Sequence, residues 1–158
     1  MMGIRENGRK ALMKRITVLL ADDNRGMRKV FREILEREDD LEVVGEAKNG
    51  NQAVAMVKKL RPALVLMDIA MSPLNGLQAT RQILENALSP TKVLMLTAHS
   101  DEAYVVEAVD CGATGYLIKH ACADSVCHAI REVHKGNTFF SPSIPKRLHK
   151  RNRNKQRD

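Results

Sequence analysis

Ile16-Thr17-Val18-Leu19-Leu20-Ala21-Asp22-Asp23 decides the fold: a run that is apolar but for Thr17 ends abruptly in two carboxylates. An apolar run without polar alternation reads as a strand buried on both faces, and strands of that kind belong to parallel sheets covered by helices. Immediately afterwards the period changes. Met27, Val30, Phe31, Ile34 and Leu35 fall at i, i+3, i+4, i+7 and i+8 with Arg and Glu between them, so the spacing predicts an amphipathic helix, and Asn24 is placed to cap it.

Working outward, the same alternation repeats. Leu41 to Ala47 reads as a strand, Ala53, Met56, Val57 and Leu60 as a helix face, and Ala63 to Met67 as a second wholly apolar strand ending at Asp68. A loop from Met71 to Gly76 precedes a helix carrying Leu77, Thr80, Ile83 and Leu84, and Thr91 to Leu96 ends at Thr97. Ser100 and Asp101 open a fourth helix that Gly112 stops, and Thr114 to Ile118 runs into Lys119. Val126, Ala129, Ile130 and Val133 mark a fifth helix closing at Gly136. Five strands alternating with five helices predict an α/β fold, a doubly wound five-stranded parallel sheet with helices on both faces.

The predicted organisation is a basic N-terminal extension over 1–15, one domain over 16–136, and a linker with a basic tail over 137–158. The stretch from Phe139 to Pro145 is expected to pack back on the last helix, whereas Lys146 to Asp158 has one aliphatic residue, Leu148, and cannot bury a core. The net charge of +7 divides accordingly: five cations against Glu6 up to Arg15 make +4, seven against Asp158 from Lys146 onward make +6, and the stretch between carries −3. A basic globular surface is therefore not implied, and the tail, which has no aromatic residue to stack on bases, reads as solvated linker before it reads as a nucleic-acid binder.

No apolar run is long enough to cross a bilayer and no signal peptide is visible, so a cytoplasmic protein without a membrane partner is expected. Three cysteines at irregular spacing argue against a disulfide framework. His120, Cys122, Cys127 and His128 cluster in sequence, but their spacing fits no zinc pattern, so buried or incidental thiols are the expectation. With no Trp, two Tyr and three Phe, the core must be aliphatic.

In an open parallel sheet the residues just past the strand ends meet along one edge, where such folds bind ligands. Here those residues are Asp22, Asp23, Asp68, Thr97 and Lys119. Three carboxylates held together repel, and a divalent cation beside a lysine keeps them ionised; hard oxygen donors suit Mg²⁺, with Mn²⁺ an alternative in the same site. The set suits a site that receives a phosphoryl group, one carboxylate attacking while cation and ammonium offset charge and a hydroxyl donates.

The sequence resembles the receiver domain of bacterial two-component response regulators, in the branch that continues into a helix-turn-helix transcription domain (NarL/FixJ/LuxR-like). The resemblance covers about Ile16 to Pro145. It rests on Val18-Leu19-Leu20-Ala21-Asp22-Asp23, on Leu66-Met67-Asp68-Ile69-Ala70-Met71 followed by Asn75-Gly76, on Leu96-Thr97-Ala98, and on Gly112-Ala113-Thr114-Gly115-Tyr116-Leu117-Ile118-Lys119. It implies a flavodoxin-like sheet of order 2-1-3-4-5. It further implies phosphoacceptance at Asp68 from a sensor histidine kinase, and Mg²⁺ held by Asp22, Asp23, Asp68 and the backbone carbonyl of Ala70. Thr97 would be the switch hydroxyl, Lys119 the fixed cation, Tyr116 the aromatic whose rotamer follows Thr97, and Ala98 the small residue that gives access to the phosphoryl group. Such a protein is a phosphoacceptor switch and not an enzyme beyond self-catalysed phosphotransfer and dephosphorylation. Its partners would be the kinase and, on phosphorylation, a second copy of the chain.

Some positions depart from the family pattern. Ser72 stands where the family usually has proline, with Pro73 following, so the third loop is expected to bend differently; His120, not proline, follows Lys119. Lys146 to Asp158 is too short for a helix-turn-helix domain, so DNA would be reached only through an output domain expected to be missing from this chain. The alternative is a stand-alone or degenerate receiver acting as a constitutive protein- or nucleic-acid-binding module. A phosphohydrolase using Asp22 is disfavoured, since Asn24 stands where its second aspartate is needed.

Overall fold

The computed structural model describes residues 14–86, 90–98, 102–119, 123–142 and 144. Most of the two basic ends, together with His99, Ser100, Asp101, His120 and Cys122, lies outside the described residues.

The apolar runs form strands β1 (Ile16–Ala21), β2 (Leu41–Ala47), β3 (Leu64–Asp68), β4 (Lys92–Thr97) and β5 (Gly115–Ile118). Between and after them lie helices α1 (Arg25–Glu36), α2 (Gly50–Leu60), α3 (Gly76–Glu85), α4 (Glu102–Asp110) and α5 (Ala123–His134). Every strand pair is parallel, in the order β2-β1-β3-β4-β5. The pleat divides each strand between two cores. Val18, Leu20, Leu64, Leu66, Leu94, Leu96 and Leu117 pack with Phe31 and Leu35 of α1 and Val126, Ile130 and Val133 of α5. Leu19, Val65, Met67, Val93, Met95 and Tyr116 pack with Ala53 and Val57 of α2, Ile83 of α3 and Val105 of α4. That two-sided burial is why these strands lack polar alternation.

Local signals act where expected. The Asn24 side chain caps α1 by accepting from the Met27 N–H, and Asn75 with Gln78 forms a capping box that starts α3 after a cis Ser72–Pro73 bond. Gly112 and Gly136 adopt φ of +97° and +99°, the left-handed stops that end α4 and α5. On α1 the inward stripe is narrower than the spacing predicts: Val30 is 47% exposed, and Arg28 takes a buried place beside Phe31.

One expectation is corrected. The sheet has six strands, because Phe139–Phe140 forms β6, parallel to β5, in what the sequence assigned to linker. The turn at Gly136 brings the chain back along the open edge of β5. There the Phe139 N–H donates to the Thr114 carbonyl at 3.3 Å and the Ser141 N–H to the Tyr116 carbonyl at 2.9 Å. Phe139 packs on the α1/α5 core and Phe140 on the opposite one, so the two-residue strand covers an edge that would otherwise be exposed.

Candidate functional site at the strand ends

Register brings the site residues together. Ala21 pairs with Met67, which places Asp22, the next residue after β1, beside Asp68, the last residue of β3. Asp68 pairs with Leu96, and Thr97 pairs with Ile118, so Thr97 and Lys119 follow on the same edge. Oxygens of Asp22, Asp23 and Asp68 lie within 4.8 Å of one another, the one cluster of potential metal-ligating side chains among the described residues. Asp22 and Asp68 are buried and Asp23 is exposed, so the cluster opens to solvent on one side.

Lys119 bridges the two buried carboxylates, its Nζ 2.9 Å from Asp22 Oδ2 and 3.4 Å from Asp68 Oδ2. Its backbone N–H donates to the Thr97 carbonyl at 2.7 Å, tying the ends of β4 and β5 together. Burial pulls the Lys119 ammonium down, but Asp22 and Asp68 outweigh it and the net shift is upward, so it is a fixed cation. Burial, and next the Asp22 charge, push the Asp68 carboxyl up against the opposing pull of Lys119. One ammonium does not balance three crowded carboxylates.

The donor set fits a hard divalent cation. Asp22 Oδ1 accepts from the Asn24 N–H at 2.9 Å, whereas Asp22 Oδ2 is buried and accepts no aligned hydrogen bond, the ion pair with Lys119 being its close contact. A buried carboxylate oxygen in that state is what an oxygen-seeking cation satisfies.

The other expected residues are distributed around this centre. Thr97 is fully buried at the end of β4, and Ala98 beyond it is exposed. The exposed Ala70 donates its N–H to Asp68 Oδ1 at 3.4 Å. Tyr116 does not line the acidic cluster: it is fully buried in the α2–α4 core with Met95, Val105 and Ala108. Of the His120, Cys122, Cys127 and His128 cluster, Cys127 is buried and His128 meets the Phe139 ring edge-on, while His120 and Cys122 lie outside the described residues.

Sequence reasoning missed two supports. Arg28 is 6% exposed and donates to the Asp22 carbonyl at 2.7 Å and to Glu46 at 3.0 Å. A cation inside an apolar stripe was the available signal. Ser141, placed in the linker by sequence, accepts from the Ile118 N–H at 2.9 Å, one residue before Lys119.

Comparisons with known proteins identify the family. The response regulator receiver domain family matches residues 18–131. The chain is 36% identical over 134 residues to the transcriptional regulatory protein DegU of Brevibacillus brevis, covering 85% of this chain and 56% of that one. It is 37% identical over 142 residues to the response regulator protein VraR of Staphylococcus aureus, covering 90% of this chain and 66% of that one. The chain thus spans between about half and two thirds of the length of these curated relatives. Among solved structures, the response regulator domain of Thermotoga maritima CheB superposes with a TM-score of 0.72 at 33% identity, covering 77% of this chain and 98% of that one. With that match, the sheet order and the acidic strand-end cluster, the chain belongs to the response regulator receiver domain family.

Proposed function

We propose that the chain is a phosphorylation switch in which Asp68 accepts a phosphoryl group from the phosphohistidine of a sensor kinase. The carrying observation is the convergence of Asp22, Asp23 and Asp68 within 4.8 Å, with Lys119 contacting two of them. In the transfer an Asp68 carboxylate oxygen bonds to phosphorus as the phosphorus–nitrogen bond breaks, and the kinase imidazole leaves with the electron pair and takes up a proton. Asp22, Asp23 and Asp68, with the Ala70 carbonyl, would hold Mg²⁺ or Mn²⁺, which supplies charge neutralisation of the phosphoryl oxygens. Lys119 compensates charge from the other side, and Ala98, without a bulky side chain, leaves the approach open.

The phosphorylated state then draws the Thr97 hydroxyl and Lys119 toward the new phosphoryl oxygens. Tyr116, on the strand that leads to Lys119, carries that change into the core under α4. The result is altered partner binding or pairing with a second copy, in a protein that accepts one phosphoryl group and is not a turnover catalyst. DegU is named a transcriptional regulatory protein, which supports control of transcription through a DNA-binding output domain of a longer protein.

Incubation with acetyl phosphate and MgCl₂ should add one phosphoryl group by intact-mass measurement, and the label should be lost in Asp68→Asn. Full labelling of that variant, or none of the wild type, would overturn the proposal.

A further inference from the structure

Asp22 is held from two sides by the end of one neighbouring strand. Its backbone N–H donates to the Ala47 carbonyl at 3.1 Å. Its backbone carbonyl accepts from Arg28 Nη1 at 2.7 Å, while Arg28 Nε donates to Glu46 Oε1 at 3.0 Å. Glu46 and Ala47 are the last two residues of β2, so β2 grips the N–H of Asp22 directly and its carbonyl through an arginine. Arg32, one turn further along α1, donates to the second Glu46 oxygen at 2.9 Å and stops that carboxylate from swinging away.

Burying a guanidinium is costly unless its donors are paired, and arginine is rarely buried to 6% exposure. Apart from Asp22, the crevice that Arg28 occupies is lined by apolar residues, Leu20, Ala21, Phe31, Leu66 and Leu96, and a methionine would fill it without that cost. If α1 needed only an anchor at this point, an apolar residue would serve better. What arginine alone supplies is a charged donor to the Asp22 carbonyl together with a second donor to a fixed acceptor.

We propose that Arg28, held by Glu46, is a positioning residue for the divalent-cation site: by fixing the Asp22 peptide it sets where the Asp22 carboxylate stands and hence how tightly the cation binds. This rests on the receiver reading only in taking Asp22 as a cation ligand. Asp68, the last residue of β3, takes no part in the Arg28 contacts and should keep its place when Arg28 is removed.

The test is an NMR titration of the full chain with MgCl₂, following backbone amides at the strand ends, in wild type, Arg28→Met, Arg28→Lys, Glu46→Gln and the exposed control Arg25→Met. Partners that orient metal ligands are typically worth about 10–100-fold in affinity, so Arg28→Met should weaken Mg²⁺ binding about tenfold. Arg28→Lys should recover part of the loss, Glu46→Gln should show a smaller one, and Arg25→Met none. With acetyl phosphate, Arg28→Met should raise the half-saturating Mg²⁺ concentration by the same factor and keep the plateau rate. A folded Arg28→Met that binds Mg²⁺ as wild type does, or one whose plateau rate falls at unchanged Mg²⁺ dependence, overturns the inference. If Arg28→Met does not fold, Glu46→Gln decides on the same readouts. Wild type that binds Mg²⁺ with the expected order of variants yet takes no phosphate sinks the receiver reading alone; wild type that binds no Mg²⁺ sinks both.

Discussion

Asp22 and Asp68 share one counter-ion: Lys119 Nζ lies 2.9 Å from an oxygen of the first and 3.4 Å from an oxygen of the second, at the ends of β1 and β3, which are direct neighbours in the sheet. Burial and then the Asp22 charge hold the Asp68 carboxyl above its ordinary value despite Lys119. A carboxyl raised in the folded state lends stability below its unfolded value of 3.8, and that contribution is lost as pH rises through the folded value. Ionised Asp68 therefore works against the fold until a cation neutralises it.

Asp68→Asn removes that charge and keeps the shape. In EDTA at neutral pH the variant should melt at a higher temperature than wild type. The difference should shrink as pH falls toward 3.8 and again when excess MgCl₂ is added, since either change relieves the wild-type carboxylates. Thermal melts by circular dichroism check it; a variant that melts lower in EDTA contradicts the electrostatic reading.

A second ion pair obeys the opposite sign. Arg131 on α5 grips Asp40 through Nε and Nη2, each 2.8 Å from a carboxylate oxygen. Those hydrogen bonds hold the Asp40 carboxyl below its ordinary value, with burial opposing. The stability it lends is present above the unfolded value of 3.8 and is lost as pH falls through the lowered folded value. Both side chains are 34% exposed, so Asp40→Asn should cost about 1 kcal/mol or less at neutral pH and nothing measurable in strong acid. Urea midpoints at the two pH values test this.

Gly76 starts α3 directly against the backbone of Asp68: a Cβ there would overlap the Asp68 carbonyl oxygen and lie 2.8 Å from its carbon. Neither atom belongs to a flexible side chain, so the loop after Asp68 has to move. Gly76→Ala should lose about 1–3 kcal/mol of stability and slow phosphoryl acceptance as well. Melting and acetyl phosphate labelling of the same preparation would show whether the two losses come together.

The strand ends were legible because two-sided burial leaves no ambiguity about where an apolar run stops, and in a parallel sheet every such stop falls on one edge. Asp22, Asp68, Thr97 and Lys119 could be grouped on that basis before any distance was known. Arg28 could not: its place on one stripe with Phe31 and Leu35 was a hint of burial, but its true acceptors, the Asp22 carbonyl and Glu46, carry no mark in the one-dimensional pattern. Strand β6 escaped for a different reason. Two phenylalanines make no period, and their pairing with β5 depends on where the turn at Gly136 aims the chain.

The sixth strand moves the practical end of the domain beyond Gly136. Ser141 donates its N–H to Tyr116 and accepts from the Ile118 N–H, and Ile144, 2% exposed, packs in the core that holds Tyr116. Ser141→Ala leaves the Ile118 N–H without that acceptor and should cost about 1 kcal/mol. A chain ending at Gly136 loses the strand pairing and the buried isoleucine as well, and should be about 2–4 kcal/mol less stable than one ending at Pro145. Because these bonds hold the strand that leads to Lys119, the shorter chain should also take up phosphate from acetyl phosphate more slowly. Urea denaturation and labelling of the two truncations side by side test it; equal stability would return residues 137–145 to the role of mere linker.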